Sequence, residues 1–272
     1  MPPAEDAYLL DNAWELAKAR FAGLELACDP ETFAGFERLG VGPGWRCLEA
    51  GAGSGSVARW LARRVAPSGH VLAVDLDTRH VIPPETSALE RAALTVAQDD
   101  IRTIALTPAS FDLVHTRAFL VHLPQREAVL ARFLEALRPG GVALVEEPDW
   151  GLNDAAPGTS SEAAALYRKV LAAIHAVLES RGMSSRFGLA LPHVARGVGF
   201  EVVETRGYTQ VVQGGSEASR FESLTYLQLG ALTCAAGQVS AAEYEAFLEL
   251  LRDPTFAYVR GLICCASLRR PS

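Results

Sequence analysis

A chain of 272 residues with 49% apolar and 21% charged side chains can bury a sizeable core, which excludes a disordered chain and a stapled mini-protein. Its formal charge of -7, from 25 basic and 32 acidic side chains, repels polyanions and argues against nucleic acid as a partner. No run reaches the roughly 18 to 20 uncharged apolar residues of a membrane-spanning helix, and Met1 to Asp6 carries no basic-then-apolar leader, so a cytoplasmic location without membrane attachment is expected. Cys28, Cys47, Cys234, Cys264 and Cys265 form no C-x-x-C pair and are odd in number, which points to reduced thiols.

Residues 8 to 39 carry apolar positions at helical spacing and predict two leading helices with a break at Cys28-Asp29-Pro30. A turn cluster at Gly40 to Gly44 precedes a short apolar strand, Arg46 to Ala50, which ends in Gly51-Ala52-Gly53-Ser54-Gly55 and is followed by a helix from Ser56 to Val65. Further strands are read at His70 to Val74, Leu94 to Ala97, Phe111 to Val114 and Val142 to Val145, with a helix from about Pro124 to Leu137 stopped by Pro139-Gly140-Gly141. Strands apolar on both faces that alternate with helices mean a parallel sheet covered on both sides. Beyond residue 150 the pattern turns helical (160 to 180, 189 to 198, 217 to 236, 240 to 251), with extended segments at Phe200 to Val211 and Phe256 to Leu268. The reading is leading helices over 1–40, a ligand-binding core over 41–150, and lid helices with the remaining strands of the same domain over 151–272.

In such a sheet, ligands bind outside the carboxyl ends of the strands, where strand order reverses. Glu49, Asp75, Asp100, His115 and Glu147 all follow strands and are expected to converge there. The glycine loop joins a strand to a helix, where free N–H groups and absent Cβ atoms suit a nucleotide-like ligand. The dinucleotide fingerprint G-x-G-x-x-G is not met, because the third glycine falls one residue early, at Gly55. Asp75, 24 residues after Gly51, is placed to accept from two ribose hydroxyls.

Taken in order, Cys47-Leu48-Glu49-Ala50-Gly51-Ala52-Gly53-Ser54-Gly55, Val71 to Asp75, Asp99-Asp100-Ile101, Phe111 to His115, Val121-His122-Leu123-Pro124 and Leu137 to Gly141 resemble the class I, seven-stranded S-adenosylmethionine-dependent methyltransferases, and within them the small-molecule and natural-product branch. The resemblance covers residues 8 to 150 well and the remainder loosely. It implies an α/β, Rossmann-like, doubly wound, seven-stranded and mostly parallel sheet with helical lid inserts, and S-adenosylmethionine as cofactor. It further implies that the backbone at Gly51, Ala52 and Gly53 passes the methionine portion and that Glu49 holds its ammonium. Asp75 would hold the ribose, Leu76 would pack near the adenine, Asp100 would accept from the adenine amino group, and the Ile101 N–H would meet a ring nitrogen. The backbone around His115 and Thr116 would line the methionine side, and Arg20 would reach the carboxylate.

Methyl transfer is an in-line displacement that asks mainly for alignment and exclusion of water, with a base only where the acceptor must shed a proton. His115 and Glu147 are the candidate bases, each weighed against a bracing role, while His122, in an apolar Leu-Val-His-Leu setting, reads as packing. Tyr8 and Trp14 form a possible N-terminal flap, and Tyr167, Phe187, Phe221, Tyr226 and Phe247 suggest an apolar acceptor cavity. Glu146, Glu147 and Asp149 imitate part of a magnesium set, but no matched acidic pair follows the fourth strand, so no metal is expected. The expected activity is methylation of a small, partly apolar metabolite by a monomer or homodimer, at oxygen before nitrogen or carbon. A nicotinamide-dependent oxidoreductase and a non-methylating cyclase or scaffold are the alternatives.

Overall fold

The computed structural model describes residues 10–82 and 86–272. Strands β1 (Arg46–Ala50), β2 (His70–Asp75), β3 (Leu94–Gln98), β4 (Phe111–Arg117), β5 (Leu137–Asp149), β6 (Asp154–Ala155), β7 (Glu201–Tyr208), β8 (Val211–Gln213), β9 (Ala257–Val259) and β10 (Leu262–Arg269) form two sheets. The larger has seven strands in the order β3-β2-β1-β4-β5-β10-β7, in which β1 to β5 pair parallel and β10 runs antiparallel between β5 and β7. Chain order reverses between β1 and β4, and this sets the crevice after β1 as the ligand position.

Because strand side chains alternate, each strand feeds two cores. Cys47, Leu113, Val142 and Leu144 pack on one face against Phe36 of α1 (Ala17–Arg38) and Leu61 and Val65 of α2 (Ser56–Val65). Leu48, Val114, Ala143 and Val145 pack on the other, against Phe133 of α4 (Arg126–Ala136) and Leu191 of α6 (Phe187–Val198). Between β2 and β3 lies α3 (Ala88–Ala92), started by a reciprocal Ser87–Glu90 capping box, a sequence signal that the helix reading above passed over. A third core joins α5 (Ser161–Glu179), α7 (Glu217–Ala235) and α8 (Ala241–Arg252) through Tyr167, Tyr226, Phe247 and Tyr258. Phe187 belongs instead to the core beneath α4 and α6.

Three expectations are corrected. The two leading helices are one, the 22-residue α1, which starts at Ala17 and runs through Pro30. An internal proline costs a helix about 3 kcal/mol, yet both sides of Pro30 are anchored to the sheet: Asp29 accepts from Arg117 Nη2 (2.8 Å) and Ser56 Oγ (3.2 Å), and Thr32 donates to Glu146 (2.5 Å). Pro139-Gly140-Gly141 does not precede the fifth strand but bulges within it, where pairing jumps from Phe111–Leu137 to Leu113–Val142. The extended segments 200 to 211 and 256 to 268 each break in two, because both leave the large sheet together. Thr209 donates to the Arg260 carbonyl (2.5 Å), the Arg260 N–H to the Gln210 carbonyl (2.9 Å), and β8 and β9 continue with β6 as a small antiparallel sheet. Among the described residues no helix is long and apolar enough to cross a membrane.

Candidate active site

A cavity of about 500 Å³ opens at the switch point after β1. Of the expected site residues, Arg20, Glu49, Gly51, Ala52, Gly53, Asp75, Leu76, Asp100 and Ile101 line it. His115, Thr116 and Glu147 do not; Arg117, Ala118 and Phe119 take the position expected for residues 115 and 116. Tyr8 lies outside the described residues, and Trp14 stays off the wall, where Leu10, Asp11 and Asn12 contribute instead.

All three side chains are taken up by partners inside the protein. Glu49 and His115 are direct partners across β1 and β4, and Arg117 pairs with Glu146 across β4 and β5, so all four project on the α1 face. The fully buried His115 donates from Nδ1 to Glu49 Oε2 (2.6 Å) and from Nε2 to Glu146 Oε2 (3.1 Å), while the Phe36 ring meets its edge at 5.0 Å. Burial alone would lower its pKa, but the Glu49 and Glu146 carboxylates outweigh burial and raise it to about 9, so the ring is an imidazolium with both nitrogens donating. Glu146 also accepts from Thr32 (2.5 Å) and the Cys265 thiol (3.1 Å), and Arg117 joins Thr32 (2.8 Å) to Asp29 (2.8 Å). His115 is therefore a charged brace, not an exposed base.

Glu147 points to the opposite face. Its carboxylate accepts from the backbone N–H groups of Phe119 (3.3 Å), Leu120 (2.9 Å) and Val121 (3.0 Å), holding the single 3-10 turn Leu120–His122. Burial pushes its pKa up to about 7 against the pull of those three bonds. Thr116 is equally internal: its hydroxyl donates to the Ala50 carbonyl (2.9 Å). Asp149 accepts from Gly151 and Leu189, so Glu146, Glu147 and Asp149 diverge, and no His, Cys, Asp or Glu group among the described residues is arranged to hold a metal.

The glycine loop is shaped by packing. A Cβ on Gly51 (φ +75°) would meet the Phe119 ring at 2.6 Å, and one on Gly55 (φ +76°) the Val81 carbonyl at 2.3 Å. Gly55 thus serves the turn into α2 and no phosphate. Asp75 folds onto this loop, accepting from Gly53 N–H (2.8 Å) and Asp77 N–H (2.9 Å), one per oxygen, which leaves each oxygen a second lone pair toward the cavity. Beside it Leu76, 58% exposed, offers an apolar face. Arg102 grips Asp100 through Nε and Nη2 and holds its carboxyl below the ordinary range. The neighbouring Ile101 N–H has no hydrogen-bond partner among the described residues.

Arg20 is the most telling group. It is 3% exposed, and its Nη2 donates to Asn12 Oδ1 (2.9 Å), yet Nε is buried without a partner and no carboxylate among the described residues pairs with the guanidinium. A buried, uncompensated cation on a cavity wall asks for an anionic ligand group. The cavity is otherwise acidic: Asp11, Glu25, Glu49, Asp75, Asp77, Asp99 and Asp100 line it against Arg20, Arg102, Arg117 and Arg181, and Arg102 and Arg117 are already paired. With Asp77, Asp100 and Glu49 also paired, Asp11, Glu25, Asp75 and Asp99 remain, a balance that suits a ligand with one carboxylate and a net cationic remainder better than a diphosphate.

Residues 47–141 match the family model described as a methyltransferase domain. Methyltransferase str3 of Strobilurus tenacellus is 32% identical over 200 residues, covering 70% of this chain and 65% of that protein. Residues 47–141 are therefore a methyltransferase domain. The ubiquinone/menaquinone biosynthesis C-methyltransferase UbiE of Cupriavidus taiwanensis is 30% identical over 111 residues, 40% of this chain and 46% of that one. The fold resembles the crystal structure of the [4+2]-cyclase SpnF at a TM-score of 0.55 and 18% identity, over 89% of this chain and 80% of that one. The chain spans 33% to 65% of the length of the first curated relatives it matches.

A second cavity, of about 150 Å³, adjoins the first; both are lined by Leu10, Arg20, Leu24, Ala118, His122 and Met183. Its own wall includes Trp150, stacked on His175 at 5.7 Å, with Phe221 and Tyr226 from the expected aromatic set. Two features of the shared wall escaped the sequence reading. Ala118 is held at φ +49°, an uncommon backbone for alanine, fixed by its N–H bond to the Glu146 carbonyl (2.8 Å). His122, read as packing, faces both cavities; burial and the Arg20 charge push its pKa down to about 4, so the imidazole is neutral at physiological pH.

Proposed function

We propose that this chain transfers the methyl group of S-adenosylmethionine to a small, partly apolar acceptor, at oxygen in preference to nitrogen or carbon. The observation that carries this reading is the acid-lined cavity at the switch point with its one uncompensated buried cation, Arg20. Arg20 would bind the methionine carboxylate and Glu49 the ammonium, since His115 engages only Oε2 of Glu49. Asp75 would take the ribose hydroxyls on its remaining lone pairs, Leu76 would cover the adenine, and Asp100 with the Ile101 N–H would read its edge. When bound, S-adenosylmethionine supplies a methyl carbon already activated by positive sulfur.

The second cavity is the acceptor's place in this reading, because it meets the first along one shared wall and its lining is mainly apolar. His122, on that wall and neutral, takes the proton of an acceptor hydroxyl at a ring nitrogen, a role assigned above to His115 and Glu147 that their burial denies them. Pairing of Arg20 with a carboxylate removes one of the two causes that depress His122 and makes it a better proton acceptor. A base suits oxygen methylation more than attack by a neutral amine.

Formation of S-adenosylhomocysteine from S-adenosylmethionine with pooled small-molecule acceptors tests the activity. Asp75→Ala is expected to weaken S-adenosylhomocysteine binding by about 1 to 3 kcal/mol through loss of charge-assisted hydrogen bonds; equal affinity by calorimetry contradicts the ribose assignment. Firm binding without turnover of any acceptor favours the cyclase or scaffold alternative.

A further inference from the structure

The wall of the second cavity carries information about the acceptor itself. Three properties bear on it: size, charge and unmatched hydrogen-bonding atoms. A volume of about 150 Å³ is that of an apolar protein cavity that takes up one benzene molecule. Trp150 and His175, stacked 19° from parallel, provide a planar wall for such a ring.

No charge in this cavity is available for an ionic acceptor. Arg260 is bound by Glu222 through Nε–Oε1 (2.5 Å) and Nη2–Oε2 (2.8 Å), and Glu222 also accepts from Tyr258 (3.1 Å). His175 and His122 are both held toward their neutral forms by burial, and the same burial raises the Cys28 thiol. Arg20, on the shared wall, is assigned to the donor. A carboxylate in this space would lose its hydration and gain no counter-charge.

Two residues of the wall nevertheless carry buried polar atoms without a strong partner among the described residues. Asn153 Oδ1 is buried and accepts no hydrogen bond among the described residues, and the buried Tyr208 hydroxyl has only the Cys28 thiol, a weak partner, beside it. Both line the second cavity and not the first. An amide oxygen can only accept, so Asn153 calls for a donor on the ligand, and the ring of Tyr208 gives the same ligand group a hydroxyl to share.

We infer that the acceptor is a neutral, single-ring hydroxylated aromatic with a second hydrogen-bond donor: the hydroxyl to be methylated sits on the shared wall at His122, and the second substituent reaches Asn153 and Tyr208. The inference rests on the methyltransferase reading and narrows its substrate to a class. The methylated hydroxyl gives its proton to His122 and its oxygen takes the methyl carbon, with S-adenosylhomocysteine leaving.

The test titrates the full chain, saturated with S-adenosylhomocysteine, with catechol, phenol, 2,3-dihydroxybenzoate and 2,3-dihydroxynaphthalene. Catechol is expected to bind about tenfold more tightly than phenol, the measure of one matched polar group, and the carboxylate and the two-ring compound about tenfold or more below catechol. Asn153→Ala is expected to abolish the catechol–phenol difference, and Ala27→Phe, which fills this cavity from α1, to abolish catechol binding while S-adenosylhomocysteine binding persists. Equal or tighter binding of the carboxylate or the two-ring compound, no binding of either single ring to the loaded chain, or a catechol preference that survives Asn153→Ala would overturn the inference and leave the donor site standing. Failure of S-adenosylhomocysteine to bind wild type removes the methyltransferase reading beneath it.

Discussion

His122→Ala is expected to lower turnover of a hydroxyl acceptor about 10²- to 10⁴-fold, the usual contribution of a positioned proton acceptor, while S-adenosylhomocysteine affinity stays within about twofold. The expectation follows from position before chemistry. His122 ends a 3-10 turn whose start is held by Glu147 through the Phe119, Leu120 and Val121 N–H groups, and it lies on the wall common to both cavities. Its pKa, depressed to about 4 by burial and by Arg20, keeps the ring neutral across the neutral range, and pairing of Arg20 with the donor carboxylate relieves part of that depression. The acid limb of kcat/KM in the free enzyme should accordingly fall near pH 4 and not near 6.5. A variant that binds donor and turns over a hydroxyl acceptor at the wild-type rate would show that alignment alone suffices and that the acceptor loses its proton elsewhere.

His115→Ala should destabilise the fold by about 3 to 5 kcal/mol, the range for removing one partner of a buried ionic group. The substitution strands Glu49 and Glu146 in the sheet interior without the imidazolium between them, and Arg117, engaged with Asp29 and Thr32, is left as the nearest cation to Glu146. Urea denaturation at neutral pH reads this directly; a loss under about 1 kcal/mol would mean that the pair is hydrated or unpaired in solution. The same group sets a pH dependence. Its folded pKa, about 9, lies above the ordinary 6.5, so the contribution is complete below 6.5 and lost as pH rises through 9. Wild-type stability should fall across that window, and the His115→Ala protein should lack that decline.

Much of the binding cavity was legible because strand tips are. Apolar runs ended by polar or glycine residues identified β1, β2, β3 and β4, and a place at or just past a strand tip was enough to nominate Asp75 and Asp100. Arg20 followed from the family resemblance, and the unpartnered Nε is a reason for it that only the folded chain supplies. The two base candidates lie off the cavity because partners that a sequence does not show engage them: His115 is held between Glu49 and Glu146, and Glu147 by the backbone N–H groups of the turn at Leu120. The cavity position of His122 did not show in its apolar neighbours, since Leu120, Val121 and His122 follow β4 as a 3-10 turn and need not share one environment. The unbroken α1 was hidden because Pro30 is a breaker by local rules, and the anchoring of Asp29 and Thr32 comes from residues 56, 117 and 146. Asn153 and Tyr208 gave no signal at all, since an unmatched polar atom exists only relative to its surroundings.

The proposed function places one adenosyl-and-methionine site in the cavity at the switch point after β1. Calorimetric titration of the wild-type chain with S-adenosylhomocysteine and, separately, with NADH measures this most directly. Saturable one-to-one binding of S-adenosylhomocysteine, weakened by about tenfold or more in Arg20→Met, with no detectable heat from NADH, is the predicted result. Binding of NADH with S-adenosylhomocysteine silent would contradict it.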